Sequence, residues 1–375
     1  MNYKAYTDRL KADGNFRSTA ALHSTGDEAS LLDLSLNDYM GFAADRKLRE
    51  SFFADTANQG LAMTASSARL LAADRREFER LEARLEDLYG RPALLFNSGY
   101  HANTGLVSAL ADSDTVILAD KLVHASIIDG IKLSGAPFER WRHNDLTHLE
   151  RLIRKHSSAE RLLVIVESVY SMDGDRADID ALIDLKRRYP QVMLYVDEAH
   201  AVGATGPRGL GLVAASKSPH EVDVVVGTFG KALASQGAFA VMDGLIRDVA
   251  VNRARSFIFS TALPPICVAW TQHVLQHSLL CDEQRDRLAA LGVRLSEKLG
   301  LPGLHSHIIP YIIGDAAETV RVSKRLLDDY SIKILPIRTP TVPPGTERLR
   351  ISLSASLSTE EIDRVASAIL SLRDR

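Results

Sequence analysis

Three apolar runs restrict the fold of this chain more than any other feature. They are "RLLVIVES" (161–168), "VMLYVD" (192–197) and "VDVVVGTF" (222–229). A strand with one wet face alternates apolar and polar residues, whereas a strand buried on both faces runs nearly continuously apolar. Segments with helical spacing lie between the runs, such as "ADIDALIDLKRRYP" (177–190). Strand–helix–strand repeats build parallel sheets covered by helices. Further strands are expected at "ALLF" (93–96) and "TVILA" (115–119), with helices after Gly99 and from Ala125. The expected fold is α/β, an open and mostly parallel sheet.

The flanks read differently. The first residues are polar and mixed, and "LLDLSLNDYMGF" (31–42) begins as a short strand. In "DRREFERLEARLEDLY" (74–89), Phe78, Leu81, Leu85 and Leu88 share one helical stripe, and the Arg and Glu residues are assigned to a solvated face. After "STALPP" (260–265) the chain turns to long helices, with strands near "IIPYII" (308–313), "IKILPI" (332–337) and "RLRISLS" (348–354). The expected division is an N-terminal arm or segment (1–40), a large α/β domain (41–262) and a smaller α+β domain (263–375).

Composition removes several function classes. Lys and Arg number 45 against 48 Asp and Glu, a formal net charge of -3, so no broad basic field exists to hold nucleic acid. Cys267 and Cys281 form no CxxC pair, and no His cluster has zinc-ligand spacing, so no metal is expected. The start lacks the apolar core of a signal peptide, and no stretch nears the ~20 apolar residues of a membrane span. A cytoplasmic location is the expectation.

"YVDEAHAVGATG" (195–206) contains D-E-A-H, the tetrapeptide of a class of helicases. That chemistry needs a G-x-x-x-x-G-K-[ST] phosphate loop. The Gly-Lys pair of "GTFGKAL" fails it, because two residues separate Gly227 from Gly230 and Ala232 follows the lysine. In open parallel sheets ligands bind beyond the carboxyl ends of the strands. Five such ends carry polar, glycine-rich or ionisable groups: "NSGYHAN", "DKLVHAS", "SVYSMDGD", "DEAH" and "GTFGKAL". Lys231 follows a buried strand among small residues, where a desolvated amine can attack a carbonyl. Asp197 ends a buried strand, where a carboxylate is costly unless it meets a cation. The protonated ring nitrogen of pyridoxal phosphate is such a cation, and His200 could bond the ring oxygen; Glu198 and Ala199 then read as spacers. His124 could stack on the ring. Ser98, Gly99 and Tyr100 open a helix whose N–H groups suit a phosphate.

In this order the motifs resemble the α-oxoamine synthase family of pyridoxal-phosphate (PLP) enzymes, within the aspartate-aminotransferase-like fold type I. The blocks are "NDYMGF", "LLFNSGYHAN", "DKLVHASIIDGI", "HND", "ESVYSMDGD", "VDEAHAVGATGPRGLG", "GTFGKAL", "STALPP" and "PTVPPGTERLRISLSA". The resemblance implies pyridoxal 5'-phosphate as cofactor, with Lys231 as the Schiff-base lysine, Asp197 on the pyridinium nitrogen, His200 on the ring oxygen and His124 stacked. It implies further cofactor contacts at Ser98, Gly99, Tyr100, Ser171 and Thr228. Ser260 and Thr261 match a pair that reaches the phosphate of the neighbouring subunit, which implies a homodimer. Arg350, Thr341, Asn37 and, in a looser alignment, Arg17 match substrate contacts. The implied reaction joins an amino acid to an acyl thioester, from CoA or a carrier protein, with loss of carbon dioxide. The tail "RTPTVPPGTERLR" is similar to members that join alanine to a pimeloyl thioester; members using glycine with succinyl-CoA or acetyl-CoA, and a non-catalytic partner subunit, are the alternatives. "GLAMTASSARLLAAD" (60–74) departs from the family by carrying Ala and Ser in place of several glycines. Arg140, Arg142 and Arg253 are candidates for a carrier-protein patch if they cluster.

Overall fold

The computed structural model describes residues 1–12, 15–16, 31–72, 75–301, 303 and 306–373. By its contacts the chain divides into two compact units. The larger comprises Met40–Ser171 and Arg176–Arg285, and the smaller Met1–Tyr39, Met172–Asp175 and Asp286–Arg375.

Twelve strands occur among the described residues: β1 (Leu32–Asp33), β2 (Ala93–Phe96), β3 (Thr115–Asp120), β4 (Phe138–Trp141), β5 (Arg161–Glu167), β6 (Val192–Asp197), β7 (Val224–Thr228), β8 (Ala238–Met242), β9 (Ile308–Ile312), β10 (Ile332–Lys333), β11 (Leu335–Ile337) and β12 (Arg348–Ser352). The larger unit holds a seven-stranded sheet in the order β2-β8-β7-β6-β5-β3-β4. Pairs β3–β4, β3–β5, β5–β6 and β6–β7 are parallel, and β8 runs antiparallel to both its neighbours. The apolar runs are continuous because both faces are covered: every residue of β7 and β8 is buried, and all of β5 beyond Arg161. β8 and the exposed edge strand β4 are additions to the sequence reading.

Helices cover the sheet. Gly99–Leu110 and Ala125–Ser134 pack so closely that a Cβ on Gly130 would stand 2.9 Å from both the Asn103 carbonyl oxygen and Val107 Cβ. Their apolar faces, with Leu106, Val107, Ile127 and Ile131, join Phe96, Ile117, Ile165 and Val226 in one core. The helix Arg76–Tyr89 buries Phe78, Leu81 and Leu85, and ends at Gly90 in the left-handed conformation, φ 69°. Its charged face is not wholly solvated. Glu82 is buried, accepts the Leu95 N–H at 3.2 Å and meets Arg69 at 3.2 Å, while the Arg69 guanidinium lies 4.6 Å from the Phe78 ring centre.

The smaller unit holds the antiparallel sheet β11-β12-β9 and the parallel pair β1–β10. "IKILPI" therefore splits into two short strands that serve different sheets. The division differs from the one expected in three places, the first being Met172–Asp175, which belong with the smaller unit and not with the large α/β domain. Residues 263–285 belong with the larger unit, because the helix Pro265–Ser278 packs on Arg76–Tyr89 and its Trp270 Nε1 donates to the Ala234 carbonyl at 3.0 Å. The N-terminal segment belongs with the smaller unit, where Leu32 is in register with Ile332.

Candidate active site

The carboxyl ends of β2, β3, β5, β6 and β7 deliver the larger unit's polar groups to one place. After β2, Ser98 caps the helix Gly99–Leu110 by accepting the His101 N–H at 3.2 Å. The first N–H groups of that helix have no acceptor within it and form a natural anion site. Gly99 leaves the approach open, since an added Cβ would only touch Thr228 at 3.8 Å. Thr228, ending β7, donates to the Gly237 carbonyl at 3.0 Å and accepts the Gly230 N–H at 3.3 Å, which shapes the turn before Lys231.

A cavity of about 160 Å³ lies at these ends. It brings together seven of the expected residues: Gly99, Tyr100, His124, Asp197, His200, Thr228 and Lys231. Lys231 Nζ is 2.7 Å from His200 Nε2. Asp197 is 4% exposed; its Oδ2 accepts Asn103 Nδ2 at 2.7 Å and its Oδ1 the Ala199 N–H at 2.8 Å. Asn103 is held in turn by the Tyr195 hydroxyl, which donates to Oδ1 at 2.7 Å, and by Ser126 Oγ at 3.0 Å from Nδ2. Ser126 Oγ also meets His124 Nδ1 at 2.8 Å. Five side chains from three segments thus form one network, buried except at the exposed His124, that fixes the carboxylate's direction.

Burial lowers the His124 imidazole pKa and the Lys231 charge adds to that, against the opposing pull of Asp197 and Asp129, so the ring tends to neutral. Burial first, then the Asp197 charge, hold the Tyr195 hydroxyl well above its usual range, so it keeps the proton it donates. Tyr100 is 47% exposed and donates to Asp129, and its ring stands edge-on to His124, centres 6.5 Å apart.

Other expected residues are elsewhere. Ser171 is half-buried beyond β5, and its backbone N–H faces Glu167. Ser260 and Thr261 do not line this cavity; Thr261 bridges Ala68, and its carbonyl accepts Asn97 Nδ2 at 2.5 Å. In the smaller unit, Arg350 donates to Asn37 Oδ1 at 3.1 Å and to Ser352 Oγ at 2.6 Å, so these two expected substrate residues meet. Thr341 lies on an exposed turn, its N–H on the Arg338 carbonyl at 2.9 Å. Arg17 lies outside the described residues. Arg140 and Arg142 flank Trp141 at the end of β4, whereas the Arg253 charge acts on Asp112, ahead of β3. Arg140 is in register with Ala119 near the carboxyl end of β3, whereas Asp112 precedes the turn at that strand's start, so Arg253 acts at the opposite end of β3 from Arg140 and Arg142. In the glycine-poor loop, Ser66 adopts φ 52°, the left-handed region where glycine is free and serine is strained.

Glu198 is not a spacer. It is fully buried, and its Oε1 accepts the N–H groups of Leu212 at 2.7 Å and Val213 at 3.1 Å, closing the loop that follows the site. Burial pushes its carboxyl up to about 7. Asn103 and Glu167 were not singled out in the sequence, although both line the cavity. Asn103 sits one helical turn past Gly99, inside the quoted "SGYHAN". Glu167 ends β5 as Asp197 ends β6, and the register pairs them. Among the described residues no group of three or more His, Cys, Asp or Glu could hold a metal ion, and no helix is long and apolar enough to cross a membrane.

The model of aminotransferase class I and II matches residues 29–369. The chain is 46% identical to a putative 8-amino-7-oxononanoate synthase of Pasteurella multocida, over 99% of both chains. It is 45% identical to the 8-amino-7-oxononanoate synthase of Chlorobaculum parvum, over 92% of this chain and 90% of that one. Among solved structures, serine palmitoyltransferase from S. paucimobilis with bound PLP superposes with a TM-score of 0.88 at 27% identity, over 99% of this chain and 96% of that one. The 8-amino-7-oxononanoate synthase of Francisella tularensis, at 24% identity and TM-score 0.78 over 92% of this chain and 99% of that one, shares the fold. The protein belongs to the class I and II aminotransferase family, and within it to the α-oxoamine synthases.

Proposed function

We propose that the chain is an 8-amino-7-oxononanoate synthase. It joins L-alanine to a pimeloyl thioester, releasing carbon dioxide and the free thiol. The observation that carries this reading is the placement of Lys231 Nζ, His200 Nε2 and the Asn103-held Asp197 carboxylate in one cavity. The donor set suits pyridoxal 5'-phosphate: an amine for its aldehyde, a buried carboxylate for its ring nitrogen, and helix N–H groups for its phosphate. Bound there, the cofactor supplies an electron sink that stabilises a carbanion at the α-carbon of an amino acid.

The chain's own residues do the rest. Lys231 would hold the cofactor through Nζ, and the same nitrogen, when free, would take the α-proton of the amino acid. Asp197 would keep the ring nitrogen protonated, and the Asn103–Tyr195 pair keeps Asp197 aimed. His200 would bond the ring oxygen, and the neutral His124 would cover the ring face without adding charge. Ser98, Gly99, Tyr100, Ser171 and Thr228 complete the cofactor contacts. Arg350 with Asn37 orients the substrate carboxylate by a charge-assisted bond. Thr341 and Arg17 are assigned to the substrate, and Ser260 and Thr261 to the phosphate of a second copy's site in a homodimer.

The test begins with colour. Purified protein given the cofactor should turn yellow, and reduction should fix the label on Lys231, as read by peptide mass; Lys231→Ala should take no label. Alanine and glycine are then each offered with pimeloyl, succinyl and acetyl thioesters, and thiol release is followed. Turnover of glycine with succinyl-CoA alone would replace the 8-amino-7-oxononanoate synthase assignment with 5-aminolevulinate synthesis. A chain that binds the cofactor and turns over no pair would be a partner subunit.

A further inference from the structure

Glu167 has no place in the chemistry above, yet it faces the same cavity. It is 3% exposed, and its Oε1 has no hydrogen-bond partner among the described residues. It ends β5 in register with Asp197 at the end of β6. Neighbouring parallel strands lie about 4.8 Å apart, and registered residues point to the same face, so two carboxyl groups share one side of one buried site. Two like charges at that range, out of water, cannot both be held cheaply.

The surroundings decide which one carries the charge. Asp197 accepts two hydrogen bonds, from the Asn103 amide and the Ala199 N–H. Glu167 accepts the backbone N–H groups of His124 and Ser171, which favour its charged form, while its Oε1 has no hydrogen-bond partner among the described residues. The charged groups facing it are Asp197 from β6 and Lys231 beyond β7; His124 stands beyond β3. Burial and Asp197 outweigh Lys231 and hold the Glu167 carboxyl well above its usual range.

We propose that Glu167 is a positioning residue: it works as a neutral acid that leaves Asp197 the single anion of the site and presents an O–H donor to the ligand beside it. The proposal goes beyond the function above and rests on it only for the identity of that ligand. A glutamine reproduces a neutral, hydrogen-bonding carboxyl and cannot ionise; a leucine fills the space without polarity.

The test compares wild type with Glu167→Gln and Glu167→Leu. Infrared difference spectra at neutral pH should show a protonated-carboxyl band that Glu167→Gln removes, with or without cofactor. Pyridoxal 5'-phosphate affinity, titrated by absorbance, should stay within about threefold in Glu167→Gln and fall about tenfold or more in Glu167→Leu. Affinity should decline at alkaline pH in wild type and stay flat in Glu167→Gln. The proposal is overturned if the band survives the glutamine change, if glutamine weakens binding as much as leucine does, or if leucine binds as well as wild type. Wild type that binds no cofactor would defeat the functional reading instead, and the infrared band would still decide whether Glu167 carries a proton.

Discussion

Removing the Asn103 side chain tests the buried network most directly. Asn103 is 1% exposed and joins Asp197, Tyr195 and Ser126. Asn103→Ala deletes a bond to a carboxylate, worth about 2 kcal/mol, and strands the Tyr195 hydroxyl without an acceptor, at about 1–3 kcal/mol. The expected loss of stability is about 4 kcal/mol. Tyr195→Phe removes only the hydroxyl and leaves Asn103 Oδ1 bare, at about 1–2 kcal/mol. The double variant no longer has a stranded hydroxyl, so it should cost less than the sum of the singles by about 1–2 kcal/mol. Urea unfolding of all four proteins at one cofactor concentration gives the cycle. Costs that add to within about 0.5 kcal/mol would mean that Asn103 and Tyr195 act independently, and the network account would be refuted.

Glu198 gives a pH prediction. Its value of about 7 in the folded chain lies above the ordinary 4.5, so its stabilising effect is full below pH 4.5 and is lost as pH rises through about 7. At about 1.4 kcal/mol per pH unit, wild type should lose roughly 3 kcal/mol relative to Glu198→Gln between pH 4 and 8; a flat difference would reject the assignment. Gly211→Ala should be severely destabilising, by about 3 kcal/mol or more in thermal melts, because its φ is 91° and a Cβ would lie 2.1 Å from Glu198 Oε2. Arg69→Ala should cost about 3–5 kcal/mol in urea unfolding by leaving the buried Glu82 unpaired, and Arg69→Ala with Glu82→Gln should recover part of it.

The parallel centre of the sheet was legible because double burial writes an unmistakable pattern: β5, β6 and β7 fall within the runs read as strands, and β3 outruns its run only by Asp120. β4 was missed because an edge strand such as "FERW" is half wet and carries charge. β8 was missed because "AFAVM" is short and wholly apolar, with no local sign of its direction. His124, Asp197, His200 and Lys231 were legible because each ends or closely follows a buried strand, the one place where an ionisable group beside a buried run is chemically useful; Glu167 ends β5 in the same way and was still passed over. Glu198 escaped for the opposite reason. Its partners, the N–H groups of Leu212 and Val213, belong to a backbone loop, and backbone groups leave no mark in the sequence. Glu82 escaped in the same way: one glutamate among several on a helix shows nothing of the arginine folded over it.

The antiparallel strand β8 has a consequence for biosynthesis. β2 leads into Ser98 and Gly99, and β8 is its one partner in the sheet, with Ala93 opposite Val241. That partner is translated about 150 residues later, which at ribosomal speed is a wait of roughly ten to thirty seconds. Through that interval the strand that presents the anion-binding helix has no sheet to join. Any nascent chain stopped before Met242 should therefore lack this end of the cavity, whatever strands it has already made. The cofactor can act as a ligand that traps the finished sheet, but it cannot serve as a template for the growing one.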